Sequence, residues 1–168
     1  MNAQADASAF VDRLDRHRGI ILRIASAYCR NQADREDLAQ EIVAQLWRSY
    51  ARFDERSSFS TWMYRVAVNV AISFLRTESR KRGNLVSADA GILEAIPQAD
   101  EPQSDERLDR LHDSIEALAP LDRALVLLYL DDRPHSEIAS ILGISETNVG
   151  TKIGRIKQRL RRDVATTT

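Results

Sequence analysis

Apolar residues recur every three to four positions along nearly the whole chain, and no stretch alternates as a half-buried strand would. The spacing predicts a helix over about Ser8–Arg30, with Phe10, Leu14, Ile21 and Ile24 among its buried positions. A second helix is predicted from about Ala33 to Tyr50. A third is predicted from about Thr61 to Lys81, with Met63, Val66, Val70 and Phe74 on its buried stripe. Later helices are predicted near Ser104–Leu118, Leu121–Asp131, Pro134–Leu142 and Ser145–Val164. Pro120 and Pro134 sit near helix starts, where a missing amide proton costs little. Between the two groups, Gly83–Gln103 contains Gly83, Gly91, Pro97 and Pro102 and reads as a linker. The predicted fold class is therefore all-α, with small helical domains over 1–82 and 104–168 joined by a flexible tether over 83–103.

The last two predicted helices form the sharpest pattern. Ile138, Ile141 and Leu142 share one face of the first, Gly143 supplies the turn, and Ser145 is a good N-cap for the second. Val149, Ile153, Ile156 and Leu160 then make an apolar stripe. That leaves Thr147, Asn148, Thr151, Lys152 and Arg155 pointing outward, ahead of a basic tail of Lys157, Arg159, Arg161 and Arg162. Such an outer face of hydroxyl, amide and cationic groups suits a DNA major groove. A cationic face is more often simply solvated. Here the helix-turn-helix turn length favours DNA, as does a count of six cations against one acid (Glu146) over Ser145–Arg162.

The net charge of −1 changes the picture once it is divided. Residues 1–82 carry 14 Lys and Arg against 10 Asp and Glu; residues 83–103 carry four acids and no cation; residues 104–168 carry 10 cations against 11 acids. Non-specific DNA affinity comes mostly from neutralised phosphates, so this chain is too weakly basic to bind tightly by charge alone. A partner protein must supply affinity. The single Cys29 excludes an internal disulfide and reads as a buried structural thiol in an apolar stretch. Three scattered His residues give no metal-ligand spacing, and no cofactor is implied. With no membrane-length apolar run and no signal-peptide pattern, the chain reads as cytoplasmic.

The first domain carries its own chemistry. Asp37, Gln40, Glu41 and Gln45 share one face of the second helix, a solvated surface or a docking site for a basic partner. Arg65, Asn69, Ser73, Arg76 and Arg80 form a polar ladder on the third, fit to lie along a phosphate backbone. Just before it, Phe53–Ser60 mixes aromatics with small polar groups, which suits a pocket for an unstacked base. Ordinary core packing is the alternative for Phe59, Trp62 and Tyr64, and is favoured for Trp62.

Three stretches together resemble one family: Asp37-Leu38-x-Gln40-Glu41 with Trp47; Phe59-x-Thr61-Trp62-Met63-Tyr64-Arg65 with Asn69; and Glu137-Ile138-Ala139 followed by Leu142-Gly143-Ile144-Ser145 and Val149. In this order they resemble bacterial RNA polymerase sigma factors, and within them the small two-domain extracytoplasmic-function (ECF) group. The resemblance spans about residues 8–163. It implies a protein that binds core RNA polymerase and directs promoter recognition, promoter opening and transcription initiation, responding to stress or another signal and held by an anti-sigma factor. Asp37, Gln40, Glu41 and Gln45 match the face that docks on the polymerase β′ clamp helices, and the C-terminal domain would meet the β flap. The loop with Arg56, Ser57, Ser58 and Phe59 matches the one that captures a flipped base of the minus-10 element. Arg65, Asn69, Arg76 and Arg80 match the DNA-facing helix beside that loop. Ser145, Thr147, Asn148, Thr151, Lys152 and Arg155 match the helix that reads the minus-35 element. The family pattern is broken at Val68, Ser73, Gly150 and Gly154, which bears on the promoter sequence more than on the family.

The two DNA surfaces would lie roughly 70 Å apart on promoter DNA, near the full stretch of the tether. Free domains are therefore expected to pack together, or on an anti-sigma partner, and hide both DNA surfaces. The residues alone also admit a stand-alone helix-turn-helix regulator, with 1–82 for effector binding or dimerisation, and an all-α adaptor with protein partners only. No acid pair, nucleophile–base set or phosphate loop marks an enzyme.

Overall fold

The computed structural model describes residues 3–86 and 105–166, all helix, turn and loop. The expected tether lies mostly outside these residues. The first unit contains α1 (Ala3–Arg16), α2 (Arg18–Tyr28), α3 (Gln32–Ser49), a short 3-10 turn (Tyr50–Arg52) and α4 (Phe59–Val86). The second contains α5 (Glu106–Glu116), α6 (Pro120–Leu130), α7 (His135–Leu142) and α8 (Glu146–Ala165). No described helix is long and apolar enough to cross a membrane.

Three expectations need correction. The first predicted helix is two helices, broken at His17, whose amide closes a tight turn onto the Leu14 carbonyl at 3.1 Å. Gly19, a weak helix former two residues on, lowers the cost of interrupting the ladder there. The third helix does not stop near Lys81 but continues to Val86, since extending an existing helix costs far less than starting one. Its buried stripe is also rotated. Met63, Tyr64, Ala67 and Ala71 are fully buried, whereas Val66, Val70 and Phe74 are only partly covered. The cause is that α4 packs against α3, α2, α6 and α7, so small Ala residues face the tightest contacts.

The two units are not separate bodies joined only by a tether. Tyr28 on α2 donates from its hydroxyl to the Pro120 carbonyl at 2.7 Å, at the start of α6. Above its ring, 5.3 Å from the centroid, sits the guanidinium of Arg123. Arg123 is only 7% exposed and has no carboxylate partner among the described residues. Its charge is met instead by carbonyls at two helix C-termini, Glu116 of α5 and Ala27 of α2, the ends where a cation is stabilised. Arg30 adds ion pairs to Glu116 and, at 2.7 Å, to Asp113. Cys29 lies beside this seam and is buried, as expected. Burial first, then the Asp34 carboxylate, push its thiol up to about 11, so it stays protonated and unreactive at neutral pH.

The three glycines of the second unit are of two kinds. Gly143 caps α7 at φ +70°, where a side chain is strained whatever the space. Gly154 lies inside α8, and a Cβ there would meet nothing within 4 Å; at Gly150 it would make only ordinary contact with His135. Among the described residues nothing requires glycine at either helical position. Gly154→Ala is expected to raise stability by about 0.5–1 kcal/mol, and Gly143→Ala to lower it by about 1–2 kcal/mol, in thermal melts of the whole chain.

Candidate nucleic-acid and polymerase interface

Leu38, Ile42 and Leu46 are fully buried on α3, which forces the opposite side of the helix outward. Asp37, Gln40 and Glu41 are exposed there and Gln45 is half-buried. Arg48 ties two of them together, donating to Gln45 at 3.1 Å and to Glu41 at 3.3 Å. These four side chains form one wall of an open groove of about 890 Å³ between α3 and α4. The other wall is Val66, Asn69, Val70, Ser73 and Phe74, continued toward one end by Thr77 and the paired Glu78 and Lys81. The groove thus has an apolar floor and an acidic, amide-rich rim, which fits a helix carrying an apolar spine flanked by cations. Sequence reasoning found the polar wall and missed the floor by assigning Val66, Val70 and Phe74 to the core. The signal was present in their i, i+4, i+8 spacing, one apolar stripe more than a single core face needs.

The loop ahead of α4 is built by local polar contacts. The Arg56 amide donates to the Asp54 side chain at 3.2 Å, an Asx turn, and Ser58 Oγ accepts the Thr61 amide at 3.2 Å as the N-cap of α4. Arg56 and Ser58 are exposed and Ser57 is half-buried. Phe59 is not on the surface; at 9% exposure it is held among Phe53 (5.6 Å between centroids), Trp62 (5.4 Å) and His17 (5.6 Å). A large apolar ring is favoured in such a cluster, so in the free chain Phe59 packs inward instead of facing solvent. Trp62 is half-buried in the same cluster and Tyr64 fully buried, the packing alternative in both cases. Burial, then Arg133 and Arg16, keep His17 below the usual imidazole pKa.

Along α4, Asn69, Arg76 and Arg80 are exposed, as the ladder requires. Arg65 is not free. It donates to Ser140 Oγ on α7 at 3.0 Å. Neighbouring contacts reinforce this clasp: Thr61 donates to Glu137 at 2.6 Å, and Arg133 donates to Glu137 at 2.8 Å and to Ser60 at 3.4 Å. One turn along, the Tyr64 hydroxyl meets Asp131, which also accepts from Arg23 at 3.2 Å. The first helix of the helix-turn-helix therefore sits on the N-terminal part of the ladder.

The helix-turn-helix itself has the predicted form. Ser145 Oγ accepts the Asn148 amide at 3.1 Å, and Val149, Ile153 and Ile156 are buried. Ser145, Thr147, Asn148, Thr151 and Arg155 are exposed, so the outer face of α8 stays open while the units are packed. The expectation that packing hides both DNA surfaces does not hold for this one as the units are packed here: α7 lies on α4, and the outer face of α8 stays exposed. Lys152 is the exception on that face: half-buried, it pairs with Asp122 of α6 at 3.6 Å. In the tail, Lys157 lies 4.3 Å above the Tyr129 ring. Among the described residues no group of His, Cys, Asp and Glu could hold a metal ion.

Residues 14–81 match the family model for sigma-70 region 2, and residues 108–160 match that for sigma-70 region 4. ECF RNA polymerase sigma factor SigE of Mycolicibacterium smegmatis is 28% identical over 161 residues, covering 94% of this chain and 62% of that protein. ECF RNA polymerase sigma factor SigW of Bacillus subtilis is 27% identical over 171 residues, covering 96% and 91%. The chain thus spans under two thirds of the first relative and nearly all of the second. Among solved structures, the fold is shared with the sigma factor RpoE in complex with the anti-sigma factor NepR from Bartonella quintana (TM-score 0.70, 20% identity, 95% and 99% coverage). It is shared equally with CnrH in complex with the cytosolic domain of CnrY (TM-score 0.70, 20% identity, 99% and 96% coverage). The α3–α4 groove and its loop fall within the region 2 match and the helix-turn-helix within the region 4 match, so the chain belongs to the sigma-70 family of RNA polymerase sigma factors, in its ECF group.

Proposed function

We propose that this chain is a dissociable specificity subunit that carries core RNA polymerase to promoters and helps open them, performing no bond chemistry itself. The observation that carries this reading is the division of labour on the surface. A groove with an apolar floor and an acidic rim lies between α3 and α4, and an open, hydroxyl- and cation-bearing recognition face lies on α8. In this reading Asp37, Gln40, Glu41 and Gln45 dock on the β′ clamp helices and the second unit on the β flap. Arg56, Ser57, Ser58, Asn69, Arg76 and Arg80 face the minus-10 element, joined by Arg65 once it is released. Ser145, Thr147, Asn148, Thr151, Lys152 and Arg155 face the minus-35 element. Residues 1–82 and 104–168 act as the two functional domains across the 83–103 tether, in the cytoplasm where polymerase works.

The packed form then acts as a resting state. Arg65 is held by Ser140 in the packed form, so its own contact with the minus-10 element requires that bond to be released, while Asn69, Arg76 and Arg80 are already exposed. One solved structure that shares this fold, the sigma factor RpoE, is a complex with the anti-sigma factor NepR, and a partner of that class would hold this chain in check.

Three experiments follow. Purified chain added to core polymerase should give promoter-dependent run-off transcripts from genomic DNA. No transcript from any template, or specific operator binding without core enzyme, would replace this reading with a stand-alone regulator. Asp131→Asn with Glu137→Gln weakens the clasp, each lost charge-assisted contact being worth about 1–3 kcal/mol. The double variant should show a larger radius of gyration in small-angle scattering with unchanged helix content, whereas an unchanged radius would mean that the clasp does not hold the units. Arg155→Ala should lower upstream-box affinity and reduce the salt slope by about 1. Lys152→Ala should do so less, because Asp122 already offsets its charge.

A further inference from the structure

The loop ahead of α4 carries two acids, Asp54 and Glu55, on a surface assigned above to DNA. Uncompensated carboxylates there would repel phosphates. Each is met by a guanidinium: Asp54 by Arg56 at 3.1 Å, and Glu55 by Arg13 at 3.0 Å. The second pair is the less expected, because Arg13 belongs to α1, 42 residues earlier in the chain. Glu55 reaches it from a backbone φ of 62°, a left-handed conformation uncommon in a residue with a side chain.

Arg13 does more than neutralise the loop. Its guanidinium carbon lies 5.7 Å from the ring centroids of both Phe53 and Phe59, over the edge of the aromatic cluster, and its side chain is still 36% exposed. The ring of Phe59 is turned inward at 9% exposure, so a base arriving at this place meets Arg13 before it meets Phe59. A guanidinium offers a flat cationic face for stacking and donors along its edge for phosphate. Its bond to Glu55 is an exposed ion pair, a kind of contact that is weakly held and readily exchanged.

We propose that Arg13 is a further DNA-facing residue of this chain. It moors the loop through Glu55 in the free protein and turns its guanidinium to the unpaired strand when the loop engages DNA. The inference rests on the sigma-factor reading and deepens it.

The probe is a pre-melted fragment of the strongest promoter recovered by run-off transcription from genomic DNA with wild-type holoenzyme. Holoenzymes carrying Arg13→Ala, Arg13→Lys and Glu55→Gln are titrated with it by fluorescence anisotropy at several salt concentrations, with thermal melts as a folding control. Arg13→Ala should weaken binding about tenfold and flatten the salt slope by about 0.7, the value for one single-strand phosphate. Glu55→Gln breaks the tether but removes a negative charge, so it should bind as wild type or tighter. Arg13→Lys should keep the slope and recover only part of the affinity. Binding of Arg13→Ala within twofold of wild type, or equal losses in Arg13→Ala and Glu55→Gln, would show a loop tether alone and overturn the inference. Should Arg13→Ala fail to fold, equal losses in Arg13→Lys and Glu55→Gln overturn it in the same way. Failure of wild-type holoenzyme to yield any promoter would instead overturn the underlying sigma-factor reading.

Discussion

At the seam between the two helical units, the fully buried Tyr64 presents its hydroxyl to Asp131, and the Arg133 guanidinium lies 4.9 Å from its ring. The constraint is strict because a buried phenol must find a partner, and the acceptor available to it belongs to the other unit. Arg23 and Arg133 both pair with that acceptor, and Arg133 also reaches Glu137, which takes the Thr61 hydroxyl. One polar cluster thereby fixes α4 against α6 and α7, and with it the state of Arg65. Parting the units breaks these contacts and leaves the buried Tyr64 hydroxyl in need of a new partner.

Helix α4 makes this possible by serving three neighbourhoods. Its Ala67 and Ala71 allow close approach to the core, its Val66, Val70 and Phe74 floor the groove beside α3, and its Arg65, Asn69, Arg76 and Arg80 face outward or toward α7. A helix with a single buried stripe would leave two clean surfaces. With two apolar stripes, the polar one between them lies at the lip of the groove, and a groove partner and a nucleic-acid strand become neighbours.

Much of this was legible in the sequence. The α7–α8 pair reads directly, because Gly143, the Ser145 cap and the Val149–Ile153–Ile156 stripe are local features that agree with one another. The polar face of α3 reads for the same reason. What escaped depends on contacts remote in sequence. The break at His17 and the inward turn of Phe59 follow from how α1, α2 and the aromatic cluster share one core, which periodicity within a helix does not encode. The engagement of Arg65 by Ser140 spans 75 residues, and no local pattern distinguishes an arginine that meets DNA from one that meets another helix.

The pairing of Lys152 with Asp122 has a consequence for search. A recognition helix whose cations were all free would cling to any duplex, and time spent on the wrong sequence grows with each phosphate held. On the proposed reading, binding one cation from within would shorten those chance encounters while leaving the exposed Thr147, Asn148 and Arg155 to discriminate. The same carboxylate that lowers affinity for DNA in general would then keep the subunit moving from site to site instead of stalling on unrelated duplex.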